Sequence, residues 1–256
     1  MPEYLIITAR YSSTRLPGKI LLALGDSSVL GHSFSRAKSA GFVPLLCTST
    51  DRTDDALVAE AVKHEVQFFR GDLLNKIQRW KDCFSVFNLR DAHVVDGDDP
   101  YFDTDEILES LTFLRINKLD LVRTSNRSDS GFATVGMSVT ANFLTKLTQR
   151  CELLPSPDLD VLPWSLLLRP TDKVRTAPDS FLIPDKSLQI RLTLDYIEDL
   201  CVMNTIAKEF GSDTPRKKIE EYLSQNPEIL SMNNYRTGDF LANKKVQLER
   251  NFQIES

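Results

Sequence analysis

The sequence has few of the residues that support disulfide, zinc or covalent chemistry. Its 256 residues include four cysteines, widely spaced and without a Cys-x-x-Cys pair, and three histidines. A chain of this length buries enough apolar surface to fold without disulfides, so we expect reduced, mostly buried thiols. The histidines and cysteines do not indicate a zinc site. No Ser/His/Asp order or Cys/His pair indicates a covalent nucleophile.

Long apolar runs and an excess of positive charge are also missing. No run approaches the ~18 residues of a membrane helix, and the start has no basic stretch followed by an apolar segment and a cleavage site. The 31 Lys and Arg against 36 Asp and Glu give a net charge of −5. This balance argues against a general nucleic-acid binder but leaves room for one small basic pocket. We expect a cytoplasmic protein without membrane or nucleic-acid partners.

Strand and helix patterns alternate through the first half of the chain. Apolar, β-branched runs predict strands, and apolar residues at a period near 3.6 predict helices between them. This alternation predicts a mostly parallel sheet with helices on both faces. The predicted strands are 4–9, 43–48, 66–69 and 92–96, and the predicted helices are 28–40, 54–63, 73–87 and 103–117.

The second half is less regular. Residues 152–189 contain six prolines and predict an insertion or arm, a candidate dimer surface. The tail from Ser231 is polar and predicts no element, and no linker divides the chain, so we expect one domain over 1–256. The remaining predicted strands are 119–123, 133–140 and 189–194, and the remaining predicted helices are 142–151, 198–210 and 217–224.

The strongest chemical signal is the loop after the first strand, residues 9–19. Loops at the carboxyl ends of parallel strands form the ligand sites of open α/β sheets. Arginine forks and a lysine on such a loop suit a triphosphate, although a solvated basic loop is an equally good interpretation. It is not a Walker A loop, because Gly-x-x-x-x-Gly-Lys-Ser/Thr is absent. The cations and hydroxyls of the loop include Arg10, Ser12, Ser13, Arg15 and Lys19.

Two acidic segments also follow predicted strands. Asp96, Asp98 and Asp99 lie within four positions, and Mg²⁺ in proteins takes one or two carboxylates together with substrate phosphates. An acidic turn before Pro100 is the alternative interpretation. Asp195 follows 190–194, where a helix N-cap is the alternative. Taken with the basic loop, the two acidic segments indicate metal-assisted phosphoryl or nucleotidyl transfer.

Other polar residues carry weaker signals. Arg70 and Gly71 follow a strand, where a turn with a helix cap is slightly favoured over a ligand site. A later loop has two arginines and an amide that suit an anionic acceptor nearly as well as solvent. The tryptophans and His93 are expected to pack in the core. The loop residues in question are Arg123, Asn126 and Arg127.

The opening motif resembles the cytidylyltransferases that activate acidic sugars, such as the CMP-KDO and CMP-sialic acid synthetases. It reads Ile6-Ile7-Thr8-Ala9-Arg10 and then Ser13-x-Arg15-Leu16-Pro17-Gly18-Lys19. The SpsF-like branch of this family is the nearer match. The segments 47–55, 69–72, 96–100, 191–199 and 226–228 are also similar to that branch.

The resemblance implies a single Rossmann-like nucleotidyltransferase domain of the GT-A-like kind, often a homodimer through an arm. It implies that Arg10, Ser13, Arg15 and Lys19 bind the phosphates of CTP, and that Asp98 and Asp195 hold Mg²⁺. Arg10, Lys19, Asp98 and Asp195 would then be the catalytic residues. The rest of the CTP site would be lined by Ala9, Ser12, Thr48, Ser49, Arg70, Gly71 and Asp96.

The implied reaction is transfer of CMP to an acidic sugar or a phosphorylated small molecule with release of pyrophosphate, in surface polysaccharide or glycan biosynthesis. Arg123, Asn126 and Arg127 are the acceptor candidates. The chain departs from the family around 131–138, where the His-x-Gly-Val-Tyr-like stretch is missing and no acidic residue lies near Val135. Two alternatives therefore stay open, a glycosyltransferase of related fold and a non-catalytic nucleotide-binding scaffold.

Overall fold

The computed structural model describes residues 2–13, 15–123, 136–154, 167–176 and 190–252. Among the described residues, no helix is both long and apolar enough to cross a membrane. The strands are β1 (Tyr4–Thr8), β2 (Ala23–Leu24), β3 (Ser27–Ser28), β4 (Val43–Ser49), β5 (Gln67–Gly71), β6 (Asp91–Asp96), β7 (Leu121–Arg123), β8 (Met137–Thr140) and β9 (Val174–Thr176). The helices are α1 (Val29–Ser39), α2 (Asp55–Lys63), α3 (Lys76–Val86), α4 (Thr104–Ile116), α5 (Ala141–Cys151), α6 (Ile197–Glu209), α7 (Arg216–Gln225), α8 (Pro227–Leu230) and α9 (Arg236–Phe252).

The central sheet has the strand order β5-β4-β1-β6-β8-β7-β9. Strand β8 runs antiparallel to its two neighbours, and the other strand pairs are parallel. The small β2–β3 hairpin lies apart from the sheet. The expectation of a mostly parallel α/β sheet is confirmed, and the four early strands and helices lie within a few residues of their predicted bounds.

Alternating residues of the central strands supply two cores, one on each face. Ile6, Leu45 and Val94 pack with side chains of α3 and α5 on one face. Leu5 and Ile7 pack with side chains of α1, α2 and α4 on the other. Because both faces are covered, these strands carry nearly continuous apolar runs. Trp80 is buried in the first core, and His93 is buried with its Nδ1 2.8 Å from Ser138 Oγ, as the sequence predicted for both.

The strand order positions a ligand crevice. From β1 the chain moves outward to β4 and β5, then crosses to β6 on the other side of β1. In open α/β sheets, ligands bind at the carboxyl ends of the strands where the order reverses in this way. The loops that follow β1 and β6 therefore face a common crevice.

The prediction of a strand over 189–194 is wrong. Residues 190–195 are buried but have no strand partner, and their polar groups are bound by other parts of the chain. Leu192 and Leu194 pack with α6, α7 and Tyr101 in a third core. The alternating pattern reflects burial of these side chains under the C-terminal helices.

Part of the expected arm is instead part of the central fold. Within 152–189, Leu167 joins a core, and Val174–Thr176 pairs with β7 as an edge strand. The rest of that segment, and Trp164, lie outside the described residues. Sequence reasoning also missed α9, which lies within the polar tail from Ser231 where no element was expected.

Two buried arginines join the C-terminal helices to the loop that follows β6. Arg36 donates to the carbonyls of Phe102, Ser212 and Thr214 at 2.7–2.9 Å. Arg216 donates to Tyr101 O at 2.9 Å and pairs with Glu220. Backbone carbonyls supply acceptors that a buried guanidinium requires. Loops that are distant in sequence are thereby held at one place.

His32 gives the fold a predictable dependence on pH. It packs edge-on against Tyr101 at 4.9 Å between ring centroids, and burial together with nearby Arg36 lowers its pKa to about 4. The unfolded chain therefore takes up a proton near the ordinary value of 6.5, while the folded chain does not until the pH is about 4. The contribution of His32 to stability is therefore complete above about pH 6.5 and is lost as the pH falls from there to about 4.

We expect His32→Leu to flatten the pH dependence of the unfolding free energy. For the wild type, His32 should account for a loss of about 2 kcal/mol between neutral pH and about pH 5. Urea unfolding of both proteins at the two pH values measures the difference in slope, so a constant destabilisation by the substitution does not affect the comparison. Parallel pH profiles would contradict the assignment.

Candidate active site

Three loops meet where β1 and β6 end. The loop 9–19 follows β1, the turn 96–99 follows β6, and 190–195 arrives from the C-terminal half. Gly97 N donates to Thr8 O at 2.8 Å, and Leu194 N donates to Asp98 O at 2.9 Å. A Cβ at Gly97 would lie 3.0 Å from the Cβ of Ala9, so glycine permits this close approach.

Lys19 lies at the centre of the meeting point. Its Nζ donates to Asp98 Oδ2 at 2.5 Å, to Leu194 O at 2.5 Å and to Asp195 Oδ1 at 3.1 Å. Gly18, in the left-handed region at φ 67°, turns the chain into a short 3-10 turn that carries Lys19 inward. Burial acts against the ammonium, but the two carboxylates outweigh it and raise the pKa of Lys19 above its ordinary value. Lys19 therefore stays protonated and positively charged.

Asp195 lies opposite Lys19 and is only 2% exposed. Its Oδ1 also accepts from Arg15 at 2.5 Å, and its Oδ2 accepts from Arg191 at 3.1 Å. Burial acts to raise the pKa of Asp195, but Lys19 and Arg15 outweigh it and hold that pKa below its ordinary value. Asp195 is therefore ionised, and it precedes the N-cap Tyr196 of α6 rather than serving as the cap itself.

The turn after β6 brings three carboxylates together. Asp96, Asp98 and Asp99 each have an oxygen within 4.8 Å of the others, and they range from exposed at Asp96 to buried at Asp99. Asp98 is the member that binds Lys19. Oxygen ligands of this kind are the ones that a hard divalent cation prefers.

The other residues predicted on the first loop contact the loop itself and its neighbours, and their role in binding a nucleotide stays a prediction. Arg10 donates to the carbonyl of Leu73, in the loop before α3, at 3.1 Å. Ser12 is exposed, and Ser13 is partly buried with its Oγ 3.5 Å from the amide of Leu16. Ala9 is buried, and its amide donates to Cys47 O of β4.

The predicted residues on β4 and β5 hold the next loop instead of presenting free groups. The hydroxyls of Thr48 and Ser49 are buried and donate to Asp54 Oδ2 at 2.9 and 2.5 Å. Arg70 donates to Ser49 O and Asp51 O, which closes the same loop. The interpretation that these side chains contact a nucleotide stays a prediction, and so does that of Gly71, which lies at the end of β5.

The acceptor candidates are placed only in part. Arg123 ends β7, two strands from β6, at the same edge of the sheet as the crevice. It is exposed, and its Nε donates to Thr176 Oγ1 at 3.2 Å. Asn126 and Arg127 lie outside the described residues.

Asp54, which links the first loop to the end of β4, belongs to a segment similar to the family, but sequence reasoning gave it no role in the site. Its Oδ1 accepts from the amide of Tyr11 at 2.7 Å, while its Oδ2 binds the two hydroxyls and the amide of Ser49. Asp54 is 1% exposed. The signal in the sequence that could have indicated this contact is the hydroxyl pair Thr48 and Ser49 at the end of β4, followed a few residues later by an acidic residue.

The geometry agrees with a family assignment. The family model described as cytidylyltransferase matches residues 4–138, a stretch that holds the Lys19 loop and the Asp96–Asp99 turn. The chain belongs to the cytidylyltransferase family. The match ends before Asp195, which is supplied by the C-terminal half.

Similar proteins extend the comparison to nearly the whole chain. The spore coat polysaccharide biosynthesis protein SpsF of Bacillus subtilis (strain 168) is 26% identical over 235 residues, covering 87% of this chain and 94% of that protein. A 3-deoxy-manno-octulosonate cytidylyltransferase of Methylococcus capsulatus is 35% identical over 111 residues, 39% of each chain.

Solved structures show the same architecture. A cytidylyltransferase from Leptospira borgpetersenii aligns with a TM-score of 0.73 at 26% identity, covering 90% of this chain and 97% of that one. A CMP:2-keto-3-deoxy-manno-octonic acid synthetase complexed with CTP aligns with a TM-score of 0.59 over 82% of this chain and all of the other. At 18% identity, the second comparison bears on the fold alone.

We expect Asp54→Asn to loosen the first loop. The amide nitrogen of asparagine cannot accept the bonds that a carboxylate oxygen accepts, so buried donors lose their partners at a cost of about 2 kcal/mol. Hydrogen exchange at the Tyr11 amide should accelerate, and urea unfolding should show the lost stability.

Asp51→Asn is the matched control. Asp51 caps the short 3-10 turn Arg52–Asp54 near the surface, where it accepts from Thr53, and asparagine caps as well as aspartate. The Tyr11 amide should exchange in this variant at the wild-type rate. Equal exchange in all three proteins would show that Asp54 does not hold the loop.

Proposed function

We propose that this cytidylyltransferase transfers CMP from CTP to an acidic sugar or a phosphorylated small-molecule acceptor, with release of pyrophosphate, in surface polysaccharide or glycan biosynthesis. The observation that carries the proposal is the convergence of Arg15, Lys19, Asp98 and Asp195 in the crevice between β1 and β6. The names of the relatives, a polysaccharide biosynthesis protein and an octulosonate cytidylyltransferase, support the acceptor class.

The cations of the first loop suit a triphosphate. Arg10 and Arg15 offer planar forks for phosphate oxygens, and Lys19 offers a compact charge. In the structure, Lys19 is paired with Asp98 and Asp195. Phosphate oxygens would replace these acceptors, so Lys19 is expected to turn from the carboxylates towards the nucleotide.

The residues fit a divalent cation such as Mg²⁺. Asp98 and Asp195 already share one positive group, the ammonium of Lys19, so their oxygens face a common point. These two carboxylates would hold the ion. When bound, it would supply charge neutralisation at the phosphates.

The side chains then have distinct tasks in the transfer. The α-phosphorus gains a bond to an acceptor oxygen and loses its bond to the bridging oxygen, whose electron pair leaves with pyrophosphate. A hydroxyl acceptor gives up its proton to solvent as the new bond forms, whereas an ionised phosphate oxygen attacks without losing one. Lys19 and Arg10 neutralise the negative charge that grows on the leaving group, which is the main catalytic task in phosphoryl transfer. Arg123, at the same edge of the sheet, is proposed to attract the acidic group of the acceptor.

Two further expectations remain predictions. The homodimer implied by the family resemblance is tested by light scattering of the purified chain. The cytoplasmic location is tested by fractionation of cells that express the full-length protein.

The decisive assay is pyrophosphate release from each of the four nucleoside triphosphates with Mg²⁺, against a panel of sugar acids and sugar phosphates. We expect release with CTP and one class of acceptor, and its loss in Asp98→Asn. Calorimetry with CTP accompanies the assay. Binding without turnover would favour the scaffold alternative, and the absence of binding to any triphosphate would contradict the proposal.

We expect Lys19→Met to lower kcat by about a hundredfold or more, the size of effect found when one preorganised donor to developing charge is removed. Lys63→Met is the matched control, because Lys63 lies on α2 with its side chain 65% exposed. Thermal unfolding of both variants confirms that the comparison is made on folded protein. A kcat within a few-fold of wild type would exclude Lys19 from the reaction.

A further inference from the structure

We propose that Arg191, Asp199 and Asn233 form a positioning unit that holds the Asp195 carboxylate in one orientation, with one oxygen bound to Arg191 and the other facing the crevice. These three residues are called the clamp below. None of them contacts the crevice loops 9–19 or 96–99 through a described hydrogen bond, so they act through Asp195 and are not catalytic residues. The part of the inference that concerns catalysis rests on the proposed function.

Arg191 is the link between the two carboxylates of this segment. Its Nη2 donates to Asp195 Oδ2 at 3.1 Å and to Asp199 Oδ2 at 3.1 Å, and its Nε donates to Asp199 Oδ1 at 2.9 Å. Its side chain is 1% exposed. A guanidinium fork holds direction as well as charge, which a lysine ammonium does not.

Asp199 fixes the backbone that carries Asp195. Its Oδ2 accepts from the amides of Asp195 and Tyr196, both at 2.9 Å. It lies in the first turn of α6, where a negative charge is stabilised by the helix dipole. The same carboxylate therefore orients the main chain of Asp195 directly and its side chain through Arg191.

Asn233 closes the unit from the C-terminal segment. Its Nδ2 donates to Asp199 Oδ1 at 2.9 Å and to Arg191 O at 3.0 Å, and the residue is fully buried. Aromatic rings flank the guanidinium of Arg191, with Phe240 of α9 at 5.3 Å and Tyr196 at 5.6 Å. The position of Asp195 thus depends on residues well beyond the family match.

In the clamp, one oxygen of Asp195 is held by Arg191 and the other is left to contact residues of the crevice. Oδ2 is bound to Arg191, while Oδ1 is presented to Lys19 and Arg15. Loss of the Arg191 fork allows the carboxylate to turn about its side chain and removes one acceptor from Lys19. A displacement of about 1 Å at a reacting group costs up to about a hundredfold in rate.

The test compares Arg191→Lys with Arg216→Lys. Arg216 is a matched control because it is also buried and pairs with a carboxylate of its own helix, but it binds Tyr101 O, outside the crevice loops. We expect Arg191→Lys to lower kcat by about tenfold to a hundredfold with a smaller change in the KM for CTP. Arg216→Lys should lose thermal stability and keep kcat.

A second measurement does not need turnover. Brief acetylation followed by peptide mass spectrometry reports how firmly Lys19 is held, with the exposed Lys63 as internal reference. We expect Lys19 to be modified about fivefold faster in Arg191→Lys than in the wild type, as for loss of one hydrogen bond, and at the wild-type rate in Arg216→Lys. If Arg191→Lys does not fold, Asn233→Ser, which removes two donors of the clamp, is measured in the same way.

The outcomes separate the two proposals. Equal labelling and equal kcat in Arg191→Lys and the wild type would overturn the clamp. A wild type that neither binds CTP nor releases pyrophosphate would overturn the proposed function, while faster labelling of Lys19 in Arg191→Lys would still show that the clamp holds Asp195.

Discussion

The buried negative charge of Asp195 is the constraint on which this crevice depends. A carboxylate that is 2% exposed has lost most of its hydration, and such a charge persists only with close cationic partners. Arg15, Lys19 and Arg191 supply them from two different parts of the chain. The path of the loop after β1, the inward turn at Gly18 and the burial of 190–195 all serve these contacts.

The sheet provides the frame in which this charge is useful. Parallel strands place the loops after β1 and β6 side by side, and the reversal of strand order opens a crevice between them. Arg36 and Arg216 then hold the C-terminal helices against the loop that follows β6. A separate bond, from Leu194 N to Asp98 O at 2.9 Å, joins the acidic segment of the second half to the turn after β6.

The sequence predicted the sheet, its helices and the two acidic segments, because periodicity and strand-end motifs depend on nearby residues. It could not predict the partners of buried charges. Asp54 lies five or six positions from the hydroxyls it binds, within reach of local reasoning, but its bond to Tyr11 spans 43 residues. The alternation in 190–194 predicted a strand. That prediction failed because alternation reports which side chains are buried and does not report whether a neighbouring strand is present to pair with.

The Arg15–Asp195 pair also bears on how the chain matures during synthesis. Its partners are 180 residues apart, so the basic loop leaves the ribosome long before the carboxylate that neutralises it. Contacts of such separation close late, because the intervening chain must first be ordered. The nascent N-terminal half therefore carries Arg15 without its partner carboxylate until Asp195 has emerged, and a chain cut short before Asp195 remains in that condition.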